Sequence, residues 1–261
     1  MKSIKSTVKS TVKDAVSANK LVSNLFYSLF KEKISINVQD KSISYYMNPL
    51  FGRSLPGIDI NGEYEGPFLS RLINDMIEYQ AKAEICYFDI GGSFGFDILV
   101  LDSFLQENVT YFTFEPDKFS RIYLKKNVSG IPVQIIEKFV SDKSDGDYIT
   151  IDDFCVAENV APTHIKIDIE GGEIYALKGM IDTLKKHKPR LYIEFHEIFI
   201  RNRFKLEQSA IQEFFDTLSG LGYEMEFNSH HYPLFSGTSK VYDYNWVAQK
   251  PNDQLYAVVC Q

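Results

Sequence analysis

The chain has 261 residues, of which 44% are hydrophobic and 24% are charged. This composition is typical of a soluble globular protein and excludes an intrinsically disordered chain or a disulfide framework. The 28 basic and 35 acidic residues give a formal net charge of −7. Because nonspecific affinity for phosphate comes mainly from lysine and arginine, this charge argues against a general nucleic-acid binder.

The three cysteines are widely spaced, and each is flanked by apolar residues: Cys86, Cys155 and Cys260. This pattern predicts buried, reduced thiols, because no CxxC pair indicates a zinc site. Since disulfides are rare in the cytosol, the cysteines favour a cytoplasmic location.

The N-terminal segment differs in charge from the rest of the chain. Residues 1–33 contain seven lysines and two acids, which gives 7 − 2 = +5 and leaves −7 − 5 = −12 on the remainder. Apolar residues recur here at helical spacing, which predicts a basic amphipathic helical arm. Two interpretations stay open: the arm contacts an anionic membrane surface peripherally, or it packs against the domain or a partner chain.

Residues 34–261 are predicted to form one domain, with its core over about residues 62–250. Alternating apolar residues from Ile34 to Tyr45 predict a β-hairpin outside the main core. A helix with apolar residues between Phe68 and Ile77 follows.

From residue 85 onward, short apolar runs alternate with segments of helical length. The runs are Ile85–Ile90, Tyr111–Phe114, Val133–Val140, Thr163–Ile169 and Arg190–Phe195, and the helices are Phe96–Gln106, Asp117–Lys126 and Glu173–Lys186. This alternation predicts parallel strands with crossover helices, and therefore a doubly wound three-layer α/β domain. Ligands of such sheets bind at the carboxyl ends of the strands, where we expect the functional residues.

The first strand ends at Asp89 and continues into a glycine-rich loop: Gly91, Gly92, Ser93, Phe94 and Gly95. The glycine spacing does not fit the G-x-G-x-x-G fingerprint, which disfavours a nicotinamide oxidoreductase. A carboxylate before the glycines repels a pyrophosphate but accepts hydrogen bonds from an amine or a hydroxyl. A cationic, phosphate-free nucleoside suits these residues, and S-adenosylmethionine is the common one.

Polar residues also follow the next two strands. Glu115, which precedes Pro116, is positioned to accept hydrogen bonds from two ribose hydroxyls. Two interpretations stay open for Ser141 and Asp142 after the third strand: contacts with the adenine amine, or an ordinary surface turn.

The densest polar cluster ends the fourth strand. Lys166, Asp168 and Glu170 share one face if the strand continues through them. Burial of such carboxylates on a central strand is costly, which favours a functional role. Glu173 follows at a helix start, where the helix dipole alone also explains an acidic residue. The fifth strand ends in a second polar pair, Glu194 and His196.

Together, these motifs resemble the FkbM family of S-adenosylmethionine-dependent methyltransferases. The resemblance covers roughly residues 62–250, and its most specific motif is the K-I-D-x-E-G-x-E block from Lys166 to Glu173. It implies the class I methyltransferase fold, a seven-stranded sheet whose last strand is antiparallel, with Asn245–Gln249 and Leu255–Cys260 as candidates for that strand. The family usually has Ala and Asn where Gly92 and Ser93 stand.

Family members mostly methylate hydroxyls of sugars and natural products. The resemblance therefore implies in-line methyl transfer, in which a base removes the proton of the acceptor hydroxyl. The expected base is Asp168 or His196, and Glu170, Glu173 and Glu194 are expected to orient a sugar, glycan or other polyhydroxylated acceptor. The same cluster offers ligands for a divalent metal such as Mg²⁺, an alternative that we do not favour.

Two other functions stay open. One is a catalytically silent S-adenosylmethionine-binding assembly module. The other is a ribose or cap RNA methyltransferase, which needs a basic track that the acidic domain does not show. The segment after His196 is expected to cover the acceptor, with a helix around Glu207–Leu218 and an aromatic loop from His230 to Trp246.

Overall fold

The computed structural model describes residues 32–47, 66–106, 108–229 and 256–261. In chain order, the strands are β1 (Glu32–Val38), β2 (Lys41–Met47), β3 (Ile85–Ile90), β4 (Val109–Phe114), β5 (Val133–Ile136), β6 (Phe139–Val140), β7 (Tyr148–Ile149), β8 (His164–Ile167), β9 (Arg190–Phe195), β10 (Met225–Ser229) and β11 (Tyr256–Cys260). The helices are α1 (Gly66–Gln80), α2 (Phe96–Phe104), α3 (Ser120–Asn127), α4 (Ile151–Glu158), α5 (Glu173–Lys178), α6 (Ile181–His187), α7 (Glu197–Asn202) and α8 (Gln208–Gly220). None of the helices in these ranges is both long and apolar enough to cross a membrane.

Seven strands form a mixed sheet in the order β10-β11-β9-β8-β3-β4-β5. The strands β3, β4, β5, β8 and β9 are parallel, whereas β11 runs antiparallel to both β9 and β10. The α/β prediction is thus confirmed, and the antiparallel strand is the later of its two candidates; residues 245–249 lie outside the described residues. Strand order reverses between β3 and β8, so a ligand is expected at the carboxyl ends of these two strands.

The two faces of the sheet differ in chemistry. On one face, Phe88, Ile90 and their apolar neighbours pack against α4, α5, α6 and α8. On the other face, which α1, α2 and α3 cover, four buried side chains with polar atoms lie side by side across β4, β3, β8 and β9. They are Thr113, Asp89, Lys166 and Tyr192. The polar row brings charged groups into the core next to the predicted site.

The N-terminal hairpin is part of the core. Strands β1 and β2 pair antiparallel as predicted, but five of their apolar side chains are buried in one cluster with α1 and α2: Ile36, Val38, Ile43, Tyr45 and Met47. The prediction that the hairpin lies outside the main core is therefore wrong, because an isolated two-stranded hairpin is marginally stable and needs such cover. Strand β1 begins at Glu32, before the predicted domain boundary, and residues 1–31 of the predicted arm lie outside the described residues.

Two predicted elements are each divided. The segment predicted as one helix from Glu173 to Lys186 forms α5 and α6, because Met180 leaves helical geometry with φ −132°. It follows Gly179, and glycine weakens a helix interior. The run from Val133 to Val140 forms β5 and β6, and β6 leaves the main sheet to pair with β7.

Candidate active site

The glycine-rich loop after β3 contacts the end of β8. Gly91 has φ +96°, and a Cβ there would lie 1.8 Å from the carbonyl oxygen of Asp168. The Asp168 N–H donates to the Ile90 carbonyl at 2.9 Å. Only glycine permits this approach, so the start of the loop and Asp168 are held together at one point of the sheet edge.

Glu115 holds the same loop from the end of β4. Its Oε2 accepts a hydrogen bond from the Ser93 N–H, and its Oε1 accepts one from the Asp117 N–H, both at 2.7 Å. Burial raises the pKa of Glu115 to about 7, against the opposing effect of these two hydrogen bonds. Each carboxylate oxygen keeps a further lone pair. Glu115 thus shapes the loop, and its contact with ribose hydroxyls stays a prediction.

Asp89 is buried, with 1% of its surface exposed. Its Oδ2 accepts a hydrogen bond from Thr113 Oγ1 at 3.3 Å, whereas no donor among the described residues reaches its Oδ1. Burial, followed by the charge of Asp97, raises the pKa of Asp89 to about 7. Because a buried acceptor without a donor is costly, this oxygen fits a ligand that brings a positive charge or an N–H or O–H group. The loop residues therefore fit S-adenosylmethionine.

Lys166 lies at the centre of a buried charge cluster. Its Nζ is 2.7 Å from Asp97 Oδ2, 3.1 Å from Glu194 Oε1 and 3.5 Å from Asp168 Oδ2. Sequence reasoning missed Asp97 as a member of the site. Its position in the first turn of α2, directly after the glycine-rich loop, is the signal that marks it.

His196 lies between two carboxylates. Its Nδ1 donates to Glu173 Oε1 at 2.9 Å, and its Nε2 is 3.7 Å from Asp168 Oδ1. Burial by itself lowers the pKa of His196, but the hydrogen bond to Glu173 and the charges of Glu173, Asp168 and Glu194 outweigh it and raise the pKa to about 9. The imidazolium is therefore the main form at neutral pH.

Asp168 is the part of this cluster that solvent reaches. Its side chain is 27% exposed, compared with 9% for His196 and 5% for Glu194. Crowding by protein atoms, followed by the charge of Glu194, raises the pKa of Asp168 to about 8, although Lys166 and His196 oppose the rise. A raised pKa makes the carboxylate form a stronger base, and the fraction of that form grows as the pH rises through about 8.

The turn between β8 and α5 places two predicted site residues in different surroundings: Glu173 is buried and Glu170 is exposed. Glu173 is fully buried, and its Oε1 also accepts a hydrogen bond from the Gly171 N–H at 3.2 Å, so the helix dipole alone does not explain it. Glu170 is exposed and has φ +49°. The prediction that Glu170 shares a face with Lys166 and Asp168 is wrong, because β8 ends at Ile167 and its alternation stops there.

Three further predicted residues make contacts elsewhere. Ser141 Oγ donates to Asp142 Oδ1 at 3.1 Å, and Asp142 is exposed. The Pro116 carbonyl accepts a hydrogen bond from Arg121 at 2.5 Å. Within the described ranges, these hydrogen bonds do not join the three residues to the charge cluster. A surface turn accounts for residues 141 and 142, and their contact with adenine stays a prediction.

Asp168, Glu194 and His196 offer potential metal-ligand atoms that lie within 4.8 Å of one another. The ammonium of Lys166 already contacts two of these residues, Glu194 and Asp168. A divalent cation would have to compete with that ammonium for the same oxygens. Metal binding by these three residues stays the less favoured alternative.

Comparison with known proteins finds a family match within the domain. The family model of the methyltransferase FkbM domain matches residues 120–225. This range contains the K-I-D-x-E-G-x-E block, Glu194 and His196, but it begins after the glycine-rich loop and Glu115. No curated protein matches the chain.

Two of the similar solved structures are methyltransferases. The methyltransferase FkbM from Methylobacillus flagellatus KT is 20% identical, has a TM-score of 0.50 and covers 68% of this chain. The chain spans 44% of the length of that protein. A SAM-dependent O-methyltransferase from Thermotoga maritima is 14% identical, has a TM-score of 0.44 and aligns over 87% of this chain and 76% of its own. Residues 120–225 are thus similar to the methyltransferase FkbM domain, and the chain shares the fold of the first of these structures.

Proposed function

We propose that the protein is an S-adenosylmethionine-dependent methyltransferase that methylates a hydroxyl of a sugar, glycan or similar polyhydroxylated molecule. The observation that carries the proposal is the contact between Gly91 and Asp168. It unites a loop whose residues fit the cofactor with a solvent-reaching carboxylate of raised pKa. Cofactor binding and proton removal thus belong to one edge of the sheet.

The bound cofactor supplies an electrophilic methyl group, so the protein has two tasks: to align the acceptor oxygen and to remove its proton. Asp89 and Glu115 are the residues that would hold the cofactor, the first through its Oδ1, which no described donor reaches, and the second through its remaining lone pairs. Alignment and a positioned base each lower the barrier by several kcal/mol.

Asp168 is the better candidate for the base. His196 directs Nδ1 to Glu173 and is mainly protonated at neutral pH, which leaves its ring without a free acceptor nitrogen. In its carboxylate form, Asp168 takes the hydroxyl proton on an oxygen. The neighbouring imidazolium of His196 orients that carboxylate and stabilises its charge.

Oxygen is the acceptor atom that the site favours. The cluster presents carboxylate oxygens, which accept hydrogen bonds from hydroxyls. The reacting hydroxyl can reach Asp168, whereas the buried Glu194 and Glu173 act on it through Lys166 and His196. The −12 charge outside residues 1–33 disfavours a polyanionic acceptor such as RNA.

The test uses the full chain in two steps. Calorimetry measures binding of S-adenosylhomocysteine, and mass spectrometry then screens free and lipid-linked sugars for a gain of one methyl group. We expect binding and an O-methylated product. Absence of binding would refute the cofactor assignment, methylation on nitrogen or carbon would refute the acceptor class, and binding without any turnover would favour the silent assembly module.

A further inference from the structure

A single asparagine joins the N-terminal hairpin to the glycine-rich loop. Asn127, at the end of α3, accepts a hydrogen bond from the Tyr46 N–H at 2.6 Å through its Oδ1. Its Nδ2 donates to the Tyr46 carbonyl at 2.9 Å and to the Phe94 carbonyl at 2.8 Å. With 9% of its surface exposed, Asn127 is buried at this three-way junction.

The two hydrogen bonds between Asn127 and the Tyr46 backbone satisfy groups on the unpaired edge of β2. Among the described residues, strand β2 pairs only with β1, so backbone groups on its other edge need partners from elsewhere. The amide of Asn127 binds both the N–H and the carbonyl of Tyr46, as a neighbouring strand would. Both amide hydrogens are used, and they serve the hairpin and the loop rather than the helix that carries the residue.

The loop is therefore held at two successive residues by side chains from two different elements. Glu115 binds the Ser93 N–H, and Asn127 binds the Phe94 carbonyl. Ser93 has φ +44°, a conformation that a non-glycine residue keeps only when its surroundings hold it. Loss of either anchor should let the loop relax away from the shape that fits the cofactor.

We infer that Asn127 is a positioning residue that couples the N-terminal hairpin to the cofactor loop and thereby sets the affinity for S-adenosylmethionine. The inference rests on the proposed function. It adds a role for the hairpin, which lies outside the residues that match the family model.

The first test compares two variants by calorimetry with S-adenosylhomocysteine. N127A removes the anchor, and we expect about tenfold weaker binding. The matched control is Y223F, which removes the buried hydrogen bond from Tyr223 Oη to the Pro189 carbonyl at 2.9 Å, away from the loop. Its binding should change less than about twofold, because distant sites act independently. Equal effects of the two variants, or unchanged binding in N127A, would overturn the inference.

The second test uses the wild-type protein, so it does not depend on whether a variant folds. Coupling between two sites is reciprocal, so a ligand on the loop must also stabilise the hairpin. Hydrogen exchange of the wild-type protein should show that S-adenosylhomocysteine slows the amides of residues 41–47 as well as those of residues 91–95. Slowing confined to the loop would overturn the coupling. A wild-type protein that does not bind the ligand at all would instead refute the proposed function, so the two failures are distinguishable.

Discussion

The Nζ of Lys166 lies 2.7 Å from Asp97 Oδ2, and their side chains are only 4% and 12% exposed. The ion pair connects β8, which leads to Asp168, with α2, which follows the glycine-rich loop. The same ammonium contacts Glu194. One buried lysine thus balances several carboxylates at the junction of the cofactor loop and the proposed base.

Replacement of Lys166 by Met should destabilise the fold, because it leaves Asp97 and Glu194 buried without their cation. Uncompensated buried charges of this kind cost about 3 to 5 kcal/mol, which urea unfolding near neutral pH would measure. The control is K125M, at a 57% exposed lysine that pairs with Glu137 on the surface. Its expected loss is below about 1 kcal/mol, and similar losses in both variants would argue against the role of Lys166.

Asp168→Asn should abolish most of the methyl transfer without loss of cofactor binding. The amide keeps the shape of the side chain but cannot take a proton, so turnover should fall about 10²- to 10⁴-fold. Initial rates with an acceptor from the screen measure turnover, and calorimetry measures binding. D182N, at an acid whose side chain is 85% exposed, should behave as wild type. Retained turnover in D168N would indicate that His196, and not Asp168, is the base.

Glu173→Gln should lower the pKa of His196, because it removes the charge that faces Nδ1. NMR titration should place the histidine clearly below its wild-type pKa of about 9. A raised histidine pKa adds stability that is complete below about 6.5 and is lost as the pH rises through about 9. The stability difference between wild type and E173Q should therefore shrink over that range. A histidine that still titrates near 9 would show that Glu173 does not control it.

Asp89→Asn should stabilise the free protein and weaken ligand binding. Because the pKa of Asp89 rises from 3.8 to about 7 on folding, the folded state keeps a proton that the unfolded state has released. Wild-type stability should thus fall as the pH rises through that range. At a pH above about 7, D89N should be more stable than the wild type by up to about 4 kcal/mol. Denaturant unfolding across this pH range tests the sign, and lower stability of D89N would contradict it.

Gly92→Ala should weaken S-adenosylhomocysteine binding, and a second substitution should restore it. A Cβ at Gly92 would lie 1.9 Å from Thr113 Oγ1, so one of the two residues must move. T113A removes that oxygen, and the double variant G92A/T113A should bind more tightly than G92A. Calorimetry of the three variants measures the coupling. Strictly additive effects would show that the two side chains do not compete for this space.

Much of the central sheet could be predicted because its strands are continuous apolar runs. The bounds of Ile85–Ile90 and Arg190–Phe195 are the predicted ones. Parallel topology then explains why Asp89 and Asp168, which lie far apart in sequence, meet at one sheet edge. The chemistry of the strand ends is therefore accessible from the sequence.

Contacts between distant segments could not be predicted from the sequence in this way. The partnership of Lys166 with Asp97 depends on how α2 packs on the polar face of the sheet. The burial of the hairpin depends on helices that begin at Gly66 and Phe96, well after the hairpin ends at Met47. No local pattern separates it from an exposed hairpin. The exposure of Glu170 depends on where β8 ends, and the residues at strand ends are the least predictable part of an element.

The turn after β8 also limits how acceptor choice can change. Gly171 has φ +105°, and a Cβ there would lie 2.9 Å from Phe199 Cβ and from Phe204 Cε2. The segment expected to cover the acceptor therefore rests on the backbone that leads into Glu173, the partner of His196. Larger or shifted side chains at positions 199 and 204 would press on that turn. If this segment covers the acceptor as proposed, substitutions at positions 199 and 204 are expected to change acceptor choice and the pKa of His196 together.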